Sequence, residues 1–314
     1  MLEAINHFGV TVSEQGRSRN FYARALRLPW MAETTNSGAR LDRMHRLDGV
    51  INRITWYQIG AGGMETFHLP RHASPRDDAG DINRPGYRYI AFFVRGFDNY
   101  IARLRKSGLN VQLVESRGNP CAHVSDPDGI HVLLFDTGRD ALAGHVSGLK
   151  EIGLVVSQTC DYEKFFETLG LWQLERDCDF LDEFFGVTAS APLFGRVRLI
   201  CLPENSPAPS AQKSAHASAP NAPFSEVGIK HVAYCVENVD SFYKHGLDAG
   251  IPFLFEPLDV PGGSRIAYFL DPEGNTFEAM QLNPAMQMAA RAAGALKQAS
   301  LSISANAPGK LRRT

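Results

Sequence analysis

Four short segments of this chain begin alike, and each places a side chain able to do chemistry at the same point. They are Ile5-Asn6-His7-Phe8-Gly9-Val10-Thr11-Val12, Tyr87-Arg88-Tyr89-Ile90-Ala91-Phe92-Phe93-Val94, Leu149-Lys150-Glu151-Ile152-Gly153-Leu154-Val155-Val156 and Ile229-Lys230-His231-Val232-Ala233-Tyr234-Cys235-Val236. Their variable third positions hold His7, Tyr89, Glu151 and His231, groups that can hold a metal or move a proton. A further carboxylate, Glu278, ends the stretch Asp271-Pro272-Glu273-Gly274-Asn275-Thr276-Phe277-Glu278. The matching stretch Asp126-Pro127-Asp128-Gly129-Ile130-His131-Val132-Leu133 ends on a leucine, which has no donor atom. Taken singly, a histidine opening a strand is more often a hydrogen-bonded structural residue, and Glu151 beside Lys150 reads as a solvated or ion-paired one. His45, His68, His72, His123, His131, His145, His216 and His245 fall in no repeated motif. His68 and Glu65, near the end of the first unit, could face a cavity.

The elements that must position these groups are legible as a repeat. The four segments are rich in β-branched and aromatic residues, a strand signature. Each is followed by aromatic or apolar residues at helical spacing: Phe21 and Tyr22 with Leu26, Tyr100 with Leu104, Phe165 and Phe166 with Leu169, Phe242 and Tyr243 with Leu247. Short strand-like runs such as Ile54-Thr55-Trp56-Tyr57 and Val197-Arg198-Leu199-Ile200 close the units. The unit is β-α-β-β-β, used four times. Phe21 and Phe165 lie 14 residues after His7 and Glu151, whereas Tyr100 and Phe242 lie 11 after Tyr89 and His231. Only the second and fourth units carry Asp-Pro-x-Gly, whose proline and glycine set a tight turn into the last strand. The chain therefore reads as A-B-A′-B′: an N-terminal domain over 1–140 (modules 1 and 2) and a C-terminal domain over 144–284 (modules 3 and 4). Residues 204–226, rich in Ala, Ser and Pro, read as a mobile loop unable to bury a core. Residues 285–314 read as a tail that starts helix-compatible and ends polar and disordered.

Composition narrows the classes. The chain has 314 residues, 44% hydrophobic and 21% charged, with a net charge of -2, so no basic excess points to nucleic acid. No apolar run approaches the roughly 18 residues of a membrane span. The opening Met1-Leu2-Glu3-Ala4 leads straight into a strand-like segment and is not expected to be a signal peptide. Five scattered cysteines, without a Cys-x-x-Cys pair, read as reduced thiols in a cytoplasmic protein.

Tandem β-α-β-β-β units, with His opening the first strand and Asp-Pro-x-Gly-Asn-x-x-Glu closing the last, resemble the vicinal oxygen chelate superfamily over roughly residues 4–282. Glyoxalase I, methylmalonyl-CoA epimerase, fosfomycin and bleomycin resistance proteins and extradiol ring-cleaving dioxygenases belong to that group, and four units in one chain is the arrangement of the dioxygenases. The resemblance implies an α+β fold of four βαβββ modules forming two pseudo-symmetric, cup-like curved mixed sheets. It implies metal ligands at the first-strand variable position and at the Glu after Asp-Pro-x-Gly, here His231 and Glu278. A third ligand is His7, as in hydroquinone ring-cleaving enzymes, or Glu151, from the unit used by catechol-cleaving ones. His7 is favoured, since two His and one carboxylate suit non-haem Fe(II) and O₂ chemistry.

By the same resemblance Tyr268, ten positions before Glu278, would hydrogen-bond a metal-held substrate oxygen, and Arg265 could bind an anionic substrate group. The extradiol signature also expects a histidine where this chain has Asp259-Val260-Pro261, which puts catechol cleavage in doubt. Phe8, Trp56, Tyr57, Phe67 and Tyr234 are candidate cup-lining residues. The function so implied is an Fe(II)-dependent ring-cleaving dioxygenase acting on a small hydroxylated aromatic and O₂, with homodimer formation a family habit. The alternatives are a lyase or isomerase of the glyoxalase or epimerase kind, with Mn, Zn, Ni or Co, and a non-catalytic binding or resistance protein.

Overall fold

A computed structural model describes residues 2, 5–75, 81–116, 118–157, 160–171, 173–175, 179–185, 192–201, 223–260, 262–285 and 288. Module 1 contains β1 (Ile5–Thr11), helix α1 (Gln15–Arg19) continuing as a π-helical turn (Asn20–Ala25), β2 (Trp30–Ser37), α2 (Ala39–His45), β3 (Ile51–Ile59) and β4 (Gly62–His68). Module 2 contains β5 (Gly86–Arg95), α3 (Phe97–Lys106), β6 (Gln112–Ser116), β7 (Asn119–Ser125) and β8 (His131–Asp136). Module 3 contains β9 (His145–Val156), α4 (Cys160–Thr168), β10 (Gln173–Glu175), α5 (Asp179–Phe185), β11 (Leu193–Phe194) and β12 (Val197–Cys201). Module 4 contains β13 (Gly228–Cys235), α6 (Val239–Asp248), β14 (Leu258–Asp259), β15 (Arg265–Leu270) and β16 (Thr276–Gln281). The odd modules each carry an extra helix, α2 and α5, that the repeat pattern does not announce. No helix among the described residues is long and apolar enough to cross a membrane.

The modules pair crosswise. One eight-stranded sheet runs β14-β15-β16-β13-β1-β4-β3-β2, joining module 4 to module 1, and the other runs β10-β11-β12-β9-β5-β8-β7-β6, joining module 3 to module 2. Each sheet thus draws one module from residues 1–140 and one from 144–284. Both are curled and mixed: β1 runs antiparallel to β13 and parallel to β4, and β5 runs antiparallel to β9 and parallel to β8. Because side chains alternate across a strand, Phe8 and Val10 enter the main core while His7, Gly9 and Thr11 take the other face. That core also takes Phe92, Val132, Val232 and Phe277, so it lies between the two sheets. It also takes Phe97, Tyr100, Ile101 and Leu104 of α3, one face of an amphipathic helix.

The central strand pairs are bulged where it matters. The register of β1 on β13 skips Asn6 and Lys230, and that of β5 on β9 skips Arg88 and Lys150. Each of these four residues immediately precedes a variable third position, while a further skip of β5 on β9, at Ser147, does not. A bulge re-aims the neighbouring side chains and sharpens the local twist.

The two halves are tied by their helices and turns. Tyr22 donates to Asp126 Oδ2 at 2.9 Å and Tyr162 to Asp271 Oδ2 at 2.8 Å, so each Asp-Pro-x-Gly turn is held by the helical segment of the preceding module. Ser13 binds Asp128 and Ser157 binds Glu273 in the same pseudo-symmetric manner.

Of the loop expected over 204–226, residues 204–222 lie outside the described residues. The expectation of a segment without a core fails at its end, because Phe224 is buried and Thr11 Oγ1 donates to its carbonyl at 2.7 Å. Of the tail, 286–287 and 289–314 lie outside the described residues.

Candidate metal centre

Strand register assembles the site from four strands. In the parallel pair β1/β4, Glu65 lies opposite Gly9, two residues past His7. In the parallel pair β13/β16, Glu278 lies opposite Ala233, two residues past His231. The antiparallel pairing of β1 with β13 sets His231 opposite Gly9 and so joins the two halves. His7 Nε2 stands 3.4 Å from Glu65 Oε1 and 3.5 Å from Glu278 Oε2, while His231 Nε2 stands 3.2 Å from both Glu278 Oε2 and His7 Nε2. Donor atoms of His7, Glu65 and His231 all lie within 4.8 Å of one another.

The neighbours fix these donors. His7 Nδ1 lies 2.9 Å from Asn6 Oδ1; an amide oxygen only accepts, so Nδ1–H donates, and Nε2 is the coordinating nitrogen when the ring is neutral. Gly9 leaves the room that His231 occupies: a Cβ there would sit 2.3 Å from His231 Cε1. Tyr268 faces Glu278 across β15/β16 and holds its ring 5.3 Å from that of His231. Burial, then Glu278 and Glu65, push this phenol well above its ordinary range, so it remains a donor. Trp56 is the counterpart of Tyr268, opposite Glu65 across β3/β4 and edge-on to His7 at 5.7 Å.

His7, Glu65, His231 and Glu278 are all buried, His231 completely. Unpaired charge in such a place is costly, so the groups either share protons or share a cation. Burial would raise Glu278, but His7 and His231 outweigh it and hold that carboxyl well below the carboxylate range. Among the described residues Glu65 pairs with His7, and burial pushes it up to about 8. Burial lowers His7, yet the carboxylates Glu65 and Glu278 bring it up to about 9. Burial, aided by His7, lowers His231 despite Glu278. Two imidazole nitrogens and two carboxylates converging from four strands fit a divalent first-row cation.

The structure brings His7, His231, Glu278 and Tyr268 together and leaves two expected residues elsewhere. Glu151 lies in the other sheet, where Arg198 pairs with it at 2.8 Å, Lys150 at 2.7 Å, and Tyr89 donates to it at 2.7 Å. Arg265 sits an odd number of residues from Tyr268, hence on the opposite face of β15, and pairs at the surface with Asp240 and Asp259. Of the expected lining residues, Trp56 and Phe67 stand at the cluster, while Phe8, Tyr57 and Tyr234 belong to the main core. Glu65 takes a full place in the cluster, whereas in the sequence it had stood only as a residue near a cavity. Module 1 closes through Gly60-Ala61-Gly62-Gly63 and not Asp-Pro-x-Gly, so the motif could not point to it; the two-residue offset between parallel strands does. His68 lies at the end of β4, opposite Arg53.

Residues 149–279 match the family model described as Glyoxalase/Bleomycin resistance protein/Dioxygenase superfamily. Among solved structures, a "putative dioxygenase" from Bacillus subtilis subsp. subtilis str. 168 is similar at 15% identity, with a TM-score of 0.63 over 90% of this chain and 86% of that one. Glyoxalase I from Zea mays is similar at 14% identity, with a TM-score of 0.60 over 88% of this chain and 92% of that one. At these identities the likeness is one of fold. No curated protein matches the sequence.

Proposed function

From the match of residues 149–279 to the Glyoxalase/Bleomycin resistance protein/Dioxygenase superfamily model we propose a metal-dependent enzyme that moves a proton beside a metal-held substrate oxygen, an isomerase or lyase of the glyoxalase kind. The observation that carries this reading is the second carboxylate. Glu65 forms with His7 and His231 a group whose donor atoms lie within 4.8 Å of one another, and Glu278 adds a second carboxylate against both imidazoles, where oxygen activation needs only two His and one carboxylate. His7, Glu65, His231 and Glu278 would hold the cation, which when bound supplies a Lewis acid that polarises a carbonyl or hydroxyl oxygen.

The two carboxylates divide the work, because their surroundings differ. Glu278 is fixed by contacts to His7 and His231 and stays ionised. Glu65, paired among the described residues with His7, is the group free to take a proton from substrate carbon and return it. Tyr268, opposite Glu278 in the sheet and kept protonated by burial, would steady negative charge developing on the substrate oxygen. Trp56 and Phe67 keep water from the cluster.

A second reading, ring cleavage of a hydroxylated aromatic by Fe(II) and O₂, draws support from Tyr268 standing against Glu278 beside an aromatic wall. One experiment separates them. Protein loaded in turn with Zn, Ni, Co, Mn and Fe(II) is given thiol hemiacetals of 2-oxoaldehydes in D₂O, and separately catechols and hydroquinones with an oxygen electrode. The expected result is product carrying solvent deuterium without oxygen uptake. Oxygen uptake restricted to the Fe(II) form would establish the second reading instead.

A further inference from the structure

Among the described residues the proposed chemistry leaves one buried histidine unused. His45 ends α2, the extra helix of module 1, and is only 8% exposed. Among the described residues its Nδ1 is buried without a hydrogen-bond partner. Its ring packs edge-on against Phe224 at 4.9 Å. Phe224 in turn stacks on His231 at 5.9 Å and lies 5.6 Å from both Tyr268 and Phe67. His45 is therefore two ring contacts from the metal cluster, across an aromatic wall.

That wall is anchored. Thr11, on the cluster face of β1, donates to the Phe224 carbonyl, and Lys230, the bulge residue before His231, donates to the Pro223 carbonyl at 3.1 Å. The strands that carry the ligands thus also hold Phe224 in place. A second orphan touches the same wall: Nδ1 of His231, whose ring stacks on Phe224, is buried without a partner among the described residues. Two buried polar atoms left unmet beside one apolar wall cost free energy unless something meets them.

We infer that His45 is a substrate-binding residue of this centre, taking a hydrogen bond from a neutral hydroxyl group on a ring that packs against Phe224. Burial keeps the imidazole neutral, lowering it to about 4. A neutral imidazole beside aromatic rings suits an uncharged hydroxyl and disfavours a phosphate or carboxylate. The substrate class is then a neutral, ring-bearing carbonyl or hydroxy compound, with its reacting oxygen at the cluster and a second hydroxyl at His45. This rests on the proposed metal centre and deepens it.

The test uses two neutral ketones that differ by one hydroxyl, acetophenone and 4′-hydroxyacetophenone, titrated calorimetrically into the full-length protein with and without bound metal. Wild type is expected to bind the hydroxylated ketone about fivefold more tightly or better, the usual worth of one hydrogen bond. That preference should vanish in His45→Phe, which keeps a ring against Phe224, and persist in part in His45→Gln, with metal content unchanged in both. Absence of the preference in wild type, binding of neither ketone, or a preference that survives His45→Phe would make His45 a packing residue and overturn the inference. Failure of the wild type to take up metal would count against the proposed function, while the ketone comparison would still decide the role of His45.

Discussion

Among the four clustered side chains, Glu65 is the one whose loss separates holding a metal from using it. Glu65→Gln keeps an oxygen beside His7 but cannot take a proton, so metal content should be preserved while turnover falls about 100-fold or more, the usual contribution of a general base. Loss of the metal together with activity would make Glu65 a ligand only. Protons and metal compete for this cluster. In the metal-free protein burial pushes Glu65 up to about 8, and His7, with its carboxylate neighbours outweighing burial, reaches about 9. Ligands must be deprotonated to coordinate, so apparent affinity should rise from pH 7 to 9, with proton release on binding. Calorimetry in buffers of different ionisation enthalpy reads that release, and a pH-independent affinity would contradict it. How much of the site the sequence discloses follows from where its motifs lie. His7, His231, Glu278 and Tyr268 occupy repeated or motif-linked positions, and the fold brings them together. Glu65, His45 and Phe224 have no motif, since their places depend on strand register and on packing between distant segments. Arg265 is misleading for a simpler reason: one step along a strand turns a side chain to the other face.

At the scale of elements, alternation, helical spacing and the Asp-Pro-x-Gly turns give the four modules and the A-B-A′-B′ order. What they leave open is which modules share a sheet. That choice is made by edge pairing of β1 with β13 and of β5 with β9, which local patterning does not encode. The sequence does contain a trace of the crosswise arrangement in the bulge residues Asn6, Arg88, Lys150 and Lys230, polar residues interrupting apolar strands just before the site positions. The Asp-Pro-x-Gly turns also do more than turn. Asp271 accepts from the backbone of Glu273 and Asn275, from the Asn275 side chain and from Tyr162, so the turn of module 4 is bolted to α4 of module 3. Tyr162→Phe removes one donor from a buried acceptor and should lower stability by about 1–3 kcal/mol. Because β16 follows that turn and carries Glu278, metal affinity should weaken as well. Thermal unfolding of Tyr162→Phe, with Tyr22→Phe as its pseudo-symmetric partner remote from Glu278, separates the effects. Equal loss of metal in both variants would refute the coupling.

Across the whole molecule, the two sheets repeat one plan with opposite outcomes. In the second sheet the positions equivalent to the metal cluster are Tyr89, Leu133, Glu151 and Arg198, with the same two-residue offset between the parallel strands β5/β8 and β9/β12. Gly153 leaves room for the ring of Tyr89 as Gly9 does for His231. Leu133 has no donor atom, and the Arg198 guanidinium meets Glu151 from completely buried positions, with Tyr89 and Lys150 completing the group. Phe180 and Phe185 of α5 then close over Tyr89. Arg198 therefore supplies from the chain the positive charge that a cation would supply in the first cup. Two consequences differ from those of a chain with two working cups. Saturated protein should contain about one metal per chain by mass spectrometry; a second equivalent lost in Glu151→Gln would show that the second cup also binds. Arg198→Met should leave metal content unchanged yet destabilise the fold by about 3–5 kcal/mol, because Glu151 becomes a buried charge without its main partner. The pH dependence has a definite sign. Burial raises Glu151, but Arg198 and Lys150 outweigh it and hold its carboxyl below the ordinary range, so the stabilisation is complete above the glutamate range and is lost as pH falls through the lowered value. Wild type should lose this contribution on acidification, whereas Arg198→Met, left with a glutamate that burial pushes up, should gain stability as the pH drops from neutral. Parallel acid profiles for the two proteins would show that Arg198 is not what balances Glu151.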